Sequence, residues 1–599
     1  MFGKFLSASY FCFISLMCIE NETNTQMQIN IEQQPVVDRQ NDCIREDDLR
    51  KENGCNNQVK KIEVEKNKKE VLKKQKEDKA SKFLNSKNQK SVIQTIYLLK
   101  EDRKLTDFTK KGVQIEIPKN DLCYEKLKFS LMDFVGKSLN EKNICLIKKT
   151  ISDYYVNKGH LFAVVTTPEQ KIEKGTIKFV ITESRLESFE VKGNHYFKKN
   201  AYKKYMNLKN NSPIDVAKIR RNVSSINRNP FRNANAIFKS GEKENTTDIE
   251  FWVQDRWPYR LYAGIDNTGI KSTGSNRLFT GINFGNLWGL DHVATYQFTT
   301  GSNVHRFHSH TMSYTMPLFY THFLTVYGGL SKIEPKKQIQ DVENDGRSGQ
   351  ASIRYIVPLT PITEYSHELN LGFDYKYSNI NMCYRGEPFI KNTVNLTQFE
   401  AKYEGKYQME KMTFPFSLEL YGSPGKMISK QSNENFSELR YKAKNHYLYS
   451  VLQFQPYFQL KRNFTLWINL MNQLSTQNLI SSEQIGIGGY NSVRGYPERY
   501  INKDNGFLTN IELRSSSMQF TKKYPLHMQL LAFLDAGVGW DSHATPNIKN
   551  TRYLISMGPG LRFNIRNYLV SRVDLGLRLK KINGKHHYGK IHFSLIGSY

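Results

Sequence analysis

The chain has 599 residues, and 86 Lys and Arg against 57 Asp and Glu give it a net charge of +29. This charge favours anionic partners such as nucleic acid, lipid head groups or acidic polypeptides, without selecting one of them. The mean hydropathy of −0.58, with no apolar run of about 18 residues beyond the N-terminus, excludes a helical membrane bundle. A transmembrane barrel stays compatible, because its strands show lipid an apolar residue only at every second position.

The N-terminus has the pattern of an export signal. Lys4 precedes an apolar run over residues 5–19, and polarity returns at Glu20. Such a run is too short to cross a bilayer as a helix. We predict a signal peptide over residues 1–22, with an uncleaved or buried N-terminal helix as the alternative.

A Lys-rich segment follows the predicted signal peptide. Residues 60–90 contain twelve Lys and five acidic residues, and their apolar residues are scattered. A segment without a continuous apolar stripe builds no core. We assign residues 23–104 to a linker, which is either solvated and tethering or contains a helix that docks inside something polar.

Cysteine is sparse in this chain. Two of the seven cysteines, Cys12 and Cys18, would leave with the signal peptide, and the others show no metal-binding or redox spacing. Cys123 and Cys145 flank one predicted helical segment. In an oxidising compartment they either form a disulfide or remain two separate thiols.

Between residues 105 and 256 strands alternate with helices, and the pattern occurs twice. In the first copy Ile144, Ile147 and Ile151 recur at helical spacing, and a Lys-Gly pair at 158–159 ends that helix. Both copies have the order β-α-α-β-β. We therefore predict two α+β modules, over residues 105–184 and 185–256, each a small sheet covered by helices.

From residue 257 to residue 599 the helical period disappears and strand alternation replaces it. Residues 561–566 and 573–579 alternate strictly between apolar and polar side chains. One face is apolar and the other is charged, which fits a lipid-facing wall around a wet lumen. The region has room for sixteen strands of about ten residues. The last strand has Phe593 and Tyr599 on its apolar side, as is typical of outer-membrane barrels.

Two motifs follow one another within the predicted barrel. Residues 486–496 read GIGGYNSVRGY, and residues 533–537 read FLDAG. They resemble the V-R-G-[FY] loop and the F-x-D-x-G strand of the superfamily of POTRA-bearing outer-membrane barrels, which assemble or secrete proteins. The matching loop residues are Val493, Arg494, Gly495 and Tyr496, and the matching strand residues are Phe533, Asp535 and Gly537.

The resemblance implies that the loop folds back into the barrel and that Arg494 reaches Asp535. A guanidinium in a confined pore needs a fixed carboxylate, and a bidentate pair would hold the loop in one register. Such a pair either takes part in gating or only stabilises the barrel.

The layout of the whole chain, over residues 105–599, is similar to that of two-partner secretion transporters. Residues 229–232, 247–251 and 255–269 look like the join between second POTRA domain and barrel in that family. The resemblance implies α+β POTRA domains followed by an all-β transmembrane barrel of about 16 antiparallel strands, with a plug helix in the linker. Ser138 stands where many members have Cys, so the resemblance does not support their disulfide here.

What the resemblance implies about function is export of a large exoprotein such as a haemolysin or adhesin, sometimes with its activation. The POTRA domains would lie in the periplasm and bind the unfolded client by strand addition at exposed sheet edges. The barrel would contact outer-membrane lipids, and the barrel assembly machinery would insert it, with Phe593 and Tyr599 as a C-terminal assembly signal. The alternative is an assembly factor of the same superfamily, of the BamA type.

Basic residues are concentrated in the second module. They either attract an acidic client or lipid phosphates, or they form a solvated helix face. The residues concerned are Lys203, Lys204, Arg220, Arg221, Arg228 and Arg232.

No arrangement of residues specific to catalysis can be assembled from the sequence. The glycines at 486, 488 and 489 lack the strand-loop-helix context and the Lys-Ser/Thr partner of a phosphate loop. His308 and His310 share a strand face but have no Cys or acidic ligand near them in the sequence. We predict that the protein is not an enzyme and that it uses no metal, no cofactor and no nucleic acid.

Overall fold

The computed structural model describes residues 92–599 except 101–110, 117–123, 158–162, 169, 171, 173–174, 244, 319–320, 336–341, 363, 385–386, 520–525, 567 and 583–587. The predicted signal peptide, most of the predicted linker and Cys123 lie outside the described residues. Two α+β modules precede one closed barrel. Within the described part of the chain, no helix is both long enough and apolar enough to span a membrane.

The first module is a four-stranded sheet with two helices. The order of its strands is β2-β1-β4-β3, with β1 parallel to both β2 and β4 and with β3 antiparallel to β4. Ile147 and Ile151 are fully buried in its core. The elements are β1 (Thr95–Lys100), β2 (Gly112–Glu116), α1 (Tyr124–Met132), α2 (Glu141–Asn157), β3 (Ala163–Thr166) and β4 (Thr176–Glu183).

The first strand corrects the predicted linker boundary. Residues 95–100 were assigned to the linker, yet they form β1, an inner strand of this sheet. All residues from 95 to 99 are buried, so the strand is a short apolar run without alternation. Such a run cannot be recognised by period 2. Cys145 on α2 is disulfide-bonded, and Cys123, one of the two cysteines for which the sequence left a disulfide or separate thiols open, lies outside the described residues.

The second module has the predicted β-α-α-β-β order, with one strand fewer than the first module. Its sheet has the order β5-β7-β6, with β5 parallel and β6 antiparallel to β7. The Asp215 carboxylate accepts the backbone N–H of Lys218 and so caps the second helix. The elements are β5 (Arg185–Lys192), α3 (Lys199–Met206), α4 (Val216–Asn227), β6 (Arg232–Ser240) and β7 (Thr246–Asp255).

The remaining strands form a closed barrel of sixteen antiparallel strands, two of which are interrupted. The prediction of α+β modules followed by an all-β barrel of about 16 strands is confirmed. The strands are β8 (Tyr259–Asp266), β9 (Arg277–Leu287), β10 (His292–Gly301), β11 (Phe307–Leu318), β12 (His322–Ile333), β13 (Val342–Pro358), β14 (Tyr365–Tyr384), β15 (Glu387–Gln408), β16 (Met412–Ser423), β17 continued by β18 (Tyr447–Phe454, Tyr457–Gln459), β19 (Thr465–Ser475), β22 continued by β23 (Asn505–Arg514, Met518–Gln519), β24 (Leu526–Trp540), β25 (Arg552–Ile565), β26 (Leu569–Arg578) and β27 (Gly589–Ser598). Between them lie α5 (Asn433–Leu439), a 3₁₀ turn (Lys461–Asn463) and the hairpin β20 (Ile485–Ile487) with β21 (Ile501–Lys503).

Alternation sorts the barrel side chains into an inner polar set and an outer apolar set. On β26, Asp574 is fully buried, whereas Leu575 and Leu577 on the other face are exposed. The outer face is therefore the one that suits lipid. The barrel closes between β27 and β8, and the exposed Tyr599 exchanges two backbone hydrogen bonds with Leu261, of 3.1 and 2.9 Å.

The two ends of the barrel differ. We call the end that carries the modules the module end and the other one the distal end. Strands run alternately towards the two ends, so the loops 424–446, 476–504 and 541–551 all lie at the distal end. The turns at 288–291 and 359–364 lie at the module end.

Candidate functional site

The longest described connection in the barrel is residues 476–504, between β19 and β22, which we call the central loop. It folds into the lumen instead of away from it. Ile487, Val493 and Tyr496 of the loop are buried in one cluster with Leu508 and Leu554, which face inward from the barrel wall. The V-R-G-Y segment at 493–496 therefore sits inside the barrel, against its wall.

Arg494 makes the central contact of the loop with the wall. Its Nε and Nη2 atoms each donate to one oxygen of Asp535, both at 2.7 Å, and its backbone N–H donates to the same carboxylate at 3.0 Å. Its Nη1 donates to Glu512 at 2.7 Å and lies 3.4 Å from Asp574. Only 1% of Arg494 is exposed. The residues of the two sequence motifs therefore form a bidentate ion pair. Hydrogen bonds between two charged groups, as in this pair, are stronger than those between neutral groups.

The F-x-D-x-G strand motif supplies three inward positions of β24, each with its own role. The Phe533 ring lies under the guanidinium, with its centroid 3.5 Å from Arg494 Cζ. Asp535 is the carboxylate acceptor described above. Gly537 leaves room for the loop, because a Cβ there would lie 2.5 Å from a methyl group of Ile487.

Gly495 and Tyr496 fix the loop against β25, β26 and β27. The Gly495 N–H donates to His592 Nε2 at 2.9 Å, and the Gly495 carbonyl accepts from Arg578 Nε at 2.5 Å. The Tyr496 hydroxyl lies 2.9 and 2.8 Å from the carbonyl oxygens of Ile555 and Lys580. All four residues of the V-R-G-Y motif are thus buried in contact with the wall.

Further charged residues surround the Arg494 contact. Asp574 accepts from Arg562 and Arg572 at 2.7 Å each, and Glu512 accepts from Arg514 at 2.9 Å. These wall side chains point inward from neighbouring strands. Strand alternation predicts that they face the lumen, but it does not predict that they contact the central loop. We call the linked set the wall cluster: Arg494, Arg514, Arg562, Arg572, Glu512, Asp535 and Asp574.

The predicted C-terminal signal residues do not belong to this site. Phe593 and Tyr599 lie on the outer face of β27 and at its end, whereas the inward His592 between them contacts the loop. Sequence reasoning missed His592. Its position between two apolar residues of an alternating strand was the available signal.

The join between the second module and the barrel corrects the prediction of a basic exposed face. The Arg232 side chain is fully buried and donates to Asp291, in a turn at the module end, at 2.7 Å. Asn229 and the Tyr205 hydroxyl also donate to Asp291, at 2.8 and 2.5 Å. Burial raises the pKa of Tyr205, so its phenol stays protonated and keeps this bond.

A second arginine of that predicted face also contacts the barrel. Arg228 makes a bidentate contact with Glu368 on β14, at 2.7 and 2.8 Å. The sequence pattern misses this because the partners are 140 residues apart. Arg221 also donates from Nη1 to the Thr360 hydroxyl, in a turn at the module end, at 3.3 Å. Three of the six basic residues therefore contact the barrel, and Arg228 and Arg232 do so through ion pairs.

Comparisons with known proteins agree with this architecture. A family model described as haemolysin secretion/activation protein ShlB/FhaC/HecB matches residues 245–563, and a model of the ShlB-type POTRA domain matches residues 114–184. The heme/hemopexin transporter protein HuxB of Haemophilus influenzae is 22% identical over 476 residues, which are 76% of this chain and 80% of HuxB.

Two solved structures show the same fold. The structure of CdiB from Escherichia coli has a TM-score of 0.72 at 15% identity, covering 90% of this chain and 98% of that one. The structure of CdiB from Acinetobacter baumannii has a TM-score of 0.67 at 13% identity, with the same coverage of both chains. At such identities the likeness concerns the fold alone.

Proposed function

The chain belongs to the ShlB/FhaC/HecB family of haemolysin secretion/activation proteins, and on that basis we propose that it is an outer-membrane channel that exports a large exoprotein and is closed by its central loop. The observation that supports this most is the Arg494 contact. A loop bound inside the lumen by a buried bidentate ion pair occupies the path that a client would take.

The chemistry of the contact suits a loop that moves. Arg494 is held by charges and hydrogen bonds, and water that enters an opening lumen can solvate these groups. Withdrawal of the loop would leave a wall lined by Asp535, Glu512 and Asp574 with their arginines. Such a wall offers donors and acceptors to the backbone of an extended polypeptide.

We assign client binding to the two modules, placed in the periplasm. Among the described residues, β2 and β3 are the edge strands of the first sheet, and β5 and β6 those of the second. An edge strand presents unpaired backbone groups that an unfolded chain can pair with, whatever its side chains. The client class is a large exoprotein such as a haemolysin or adhesin, in line with the family description, and activation during passage is part of the proposal.

A site-specific photo-crosslinker at Val164, an exposed position on β3, tests the client class in cells. We expect crosslinks to a secreted polypeptide, and none from a control position at Lys149 on the exposed side of α2. Crosslinks to newly made barrel proteins of the outer membrane would instead support the alternative function of an assembly factor. The outer-membrane lipids and the barrel assembly machinery remain proposed partners, the latter through Phe593 and Tyr599.

A further inference from the structure

A second distal loop, residues 424–446, packs on the central loop. We call it the latch loop. Its helix α5 buries Phe436 completely, in a cluster with Val394 and Leu396 of β15. Leu479 and Ile480, at the start of the central loop, belong to the same cluster. The two loops therefore share a small apolar core at the distal end.

Arg440 follows α5 directly and connects three distal loops. Its guanidinium donates to both oxygens of Asp504, the last residue of the central loop, and to Asp541 in the next distal loop at 2.6 Å. It also donates to the Leu479 carbonyl at 2.5 Å. The guanidinium thus contacts both the first and the last part of the central loop.

The Asp504 carboxylate is itself placed to hold the loop base. It is fully buried, and it accepts the backbone N–H groups of Leu479 and Ser542 at 2.9 and 3.1 Å. A buried carboxylate needs a compensating cation, and Arg440 is the cation in contact with it among the described residues. Loss of Arg440 would leave this charge at the loop base uncompensated.

The central loop therefore has two arginine anchors of different origin. Arg494 belongs to the loop itself and binds the wall, whereas Arg440 comes from the latch loop and binds the loop base. We propose that Arg440 is a positioning residue that holds the central loop in its docked state, and that separation of the latch loop from the central loop is required for opening. This inference rests on the proposed function.

Conductance of the full chain in planar lipid bilayers tests the inference. We expect Arg440→Ala to raise the frequency of channel openings at least about tenfold over wild type, with Arg440→Lys intermediate because a lysine keeps a charge but not the bidentate geometry. Lys444→Ala removes an exposed charge of the same loop and should behave as wild type. Folding of each variant is checked by heat-modifiable migration in gels.

A reversible crosslink separates latching from general weakening of the barrel. Ala443 and Asn478 form an isolated β-bridge between the two loops, so the double variant Ala443→Cys/Asn478→Cys places two thiols within disulfide reach. Added to Arg440→Ala, the oxidised pair should return opening to the wild-type frequency. Reduction should bring the openings back to at least the Arg440→Ala frequency, because Asn478→Cys also removes the amide hydrogen bonds to Tyr441 and His543. Wild type with and without reductant controls for the native disulfide at Cys145.

The outcomes distinguish this inference from the proposed function. If Arg494→Ala opens the channel and Arg440→Ala does not, the latch is disproved and the loop-closed channel stands. If the oxidised crosslink leaves the Arg440→Ala openings unchanged, the two loops do not need to separate and the latch is likewise disproved. If neither arginine variant conducts, the proposed loop-closed channel itself fails.

Discussion

Gly495 of the central loop and Gly576 of β26 pack backbone against backbone. A Cβ on Gly576 would lie 2.2 Å from the Gly495 nitrogen, and a Cβ on Gly495 would lie 2.6 Å from the Gly576 carbonyl oxygen. Gly495 also has a φ of 87°, which side-chain-bearing residues rarely adopt. The docked loop thus depends on the absence of side chains on both partners.

Gly576→Ala should therefore undock the loop without a change to any charged side chain. We expect the variant to show steady channel conductance in planar bilayers, since the new methyl group and the loop backbone cannot occupy the same space. Gly597→Ala on β27 is the matched control, because a Cβ there meets nothing closer than 3.9 Å. If the Gly576→Ala protein does not conduct, the loop accommodates the methyl group while it stays docked.

Asp535→Ala should destabilise the barrel more than Arg494→Ala. Within the described residues, the wall cluster pairs four arginines with three carboxylates. Loss of Asp535 leaves four cations and two anions, whereas loss of Arg494 leaves three of each. We expect about 3–5 kcal/mol of lost unfolding free energy for Asp535→Ala and about 1–2 kcal/mol for Arg494→Ala.

Urea unfolding of the refolded barrel in detergent measures both values. The double variant Arg494→Ala/Asp535→Ala keeps the charge excess of the wild type, so it should be more stable than Asp535→Ala alone. Equal losses for the two single variants, or strictly additive losses in the double variant, would contradict an electrostatic origin.

Asp291→Ala should loosen the second module from the barrel. Asp291 is the shared acceptor of Arg232, Tyr205 and Asn229, so its loss leaves a buried guanidinium without its carboxylate. We expect a broader distribution of distances between spin labels at the exposed Lys209 and Lys411, measured by pulsed electron paramagnetic resonance. Asp248→Ala, in contact with Ser188 inside the module, should leave the distribution narrow. An unchanged distribution in Asp291→Ala would show that the remaining contacts between module and barrel, among them those of Arg228 with Glu368 and of Asn229 with Gly285, are enough to fix the module.

Tyr496→Phe should reduce stability and open the channel less than substitution of either charged motif residue, Arg494 or Asp535. The change removes hydrogen bonds to main-chain groups of Ile555 and Lys580 and keeps the buried ring. We expect a loss of about 1 kcal/mol in unfolding free energy, with only brief channel openings. If the Tyr496→Phe channel were fully open, the hydrogen bonds of the Tyr496 hydroxyl, and not the Arg494 ion pair, would be the main contact that holds the loop.

The sequence and the structure agree most closely where a local pattern determines the position. Strict alternation around Asp574 indicates the inward face of β26, and the two motifs bring Arg494 to Asp535. Alternation does not give the height of a residue along the barrel axis, so the contacts of Glu512 and Asp574 with the loop could not be predicted. β1 was missed because a buried inner strand has no alternation.

The contacts between segments that are distant in sequence could not be predicted, for a different physical reason. Arg232 with Asp291 and Arg440 with Asp504 each depend on how separate elements pack in space. A basic residue on a helix, or directly after one, is predicted to face solvent unless its acidic partner is known. Both pairs bury charge, and buried charge is identified from a structure and not from composition.

The central claim is that the docked loop closes a real channel. Its most direct test is the planar-bilayer conductance of the refolded wild type, of Arg494→Ala and of a chain lacking residues 488–499. We predict that the wild type stays closed, while both altered proteins show large and steady conductance. If all three fold and insert, and none conducts, the barrel contains no channel closed by this loop, and the protein must act as a receptor or a scaffold.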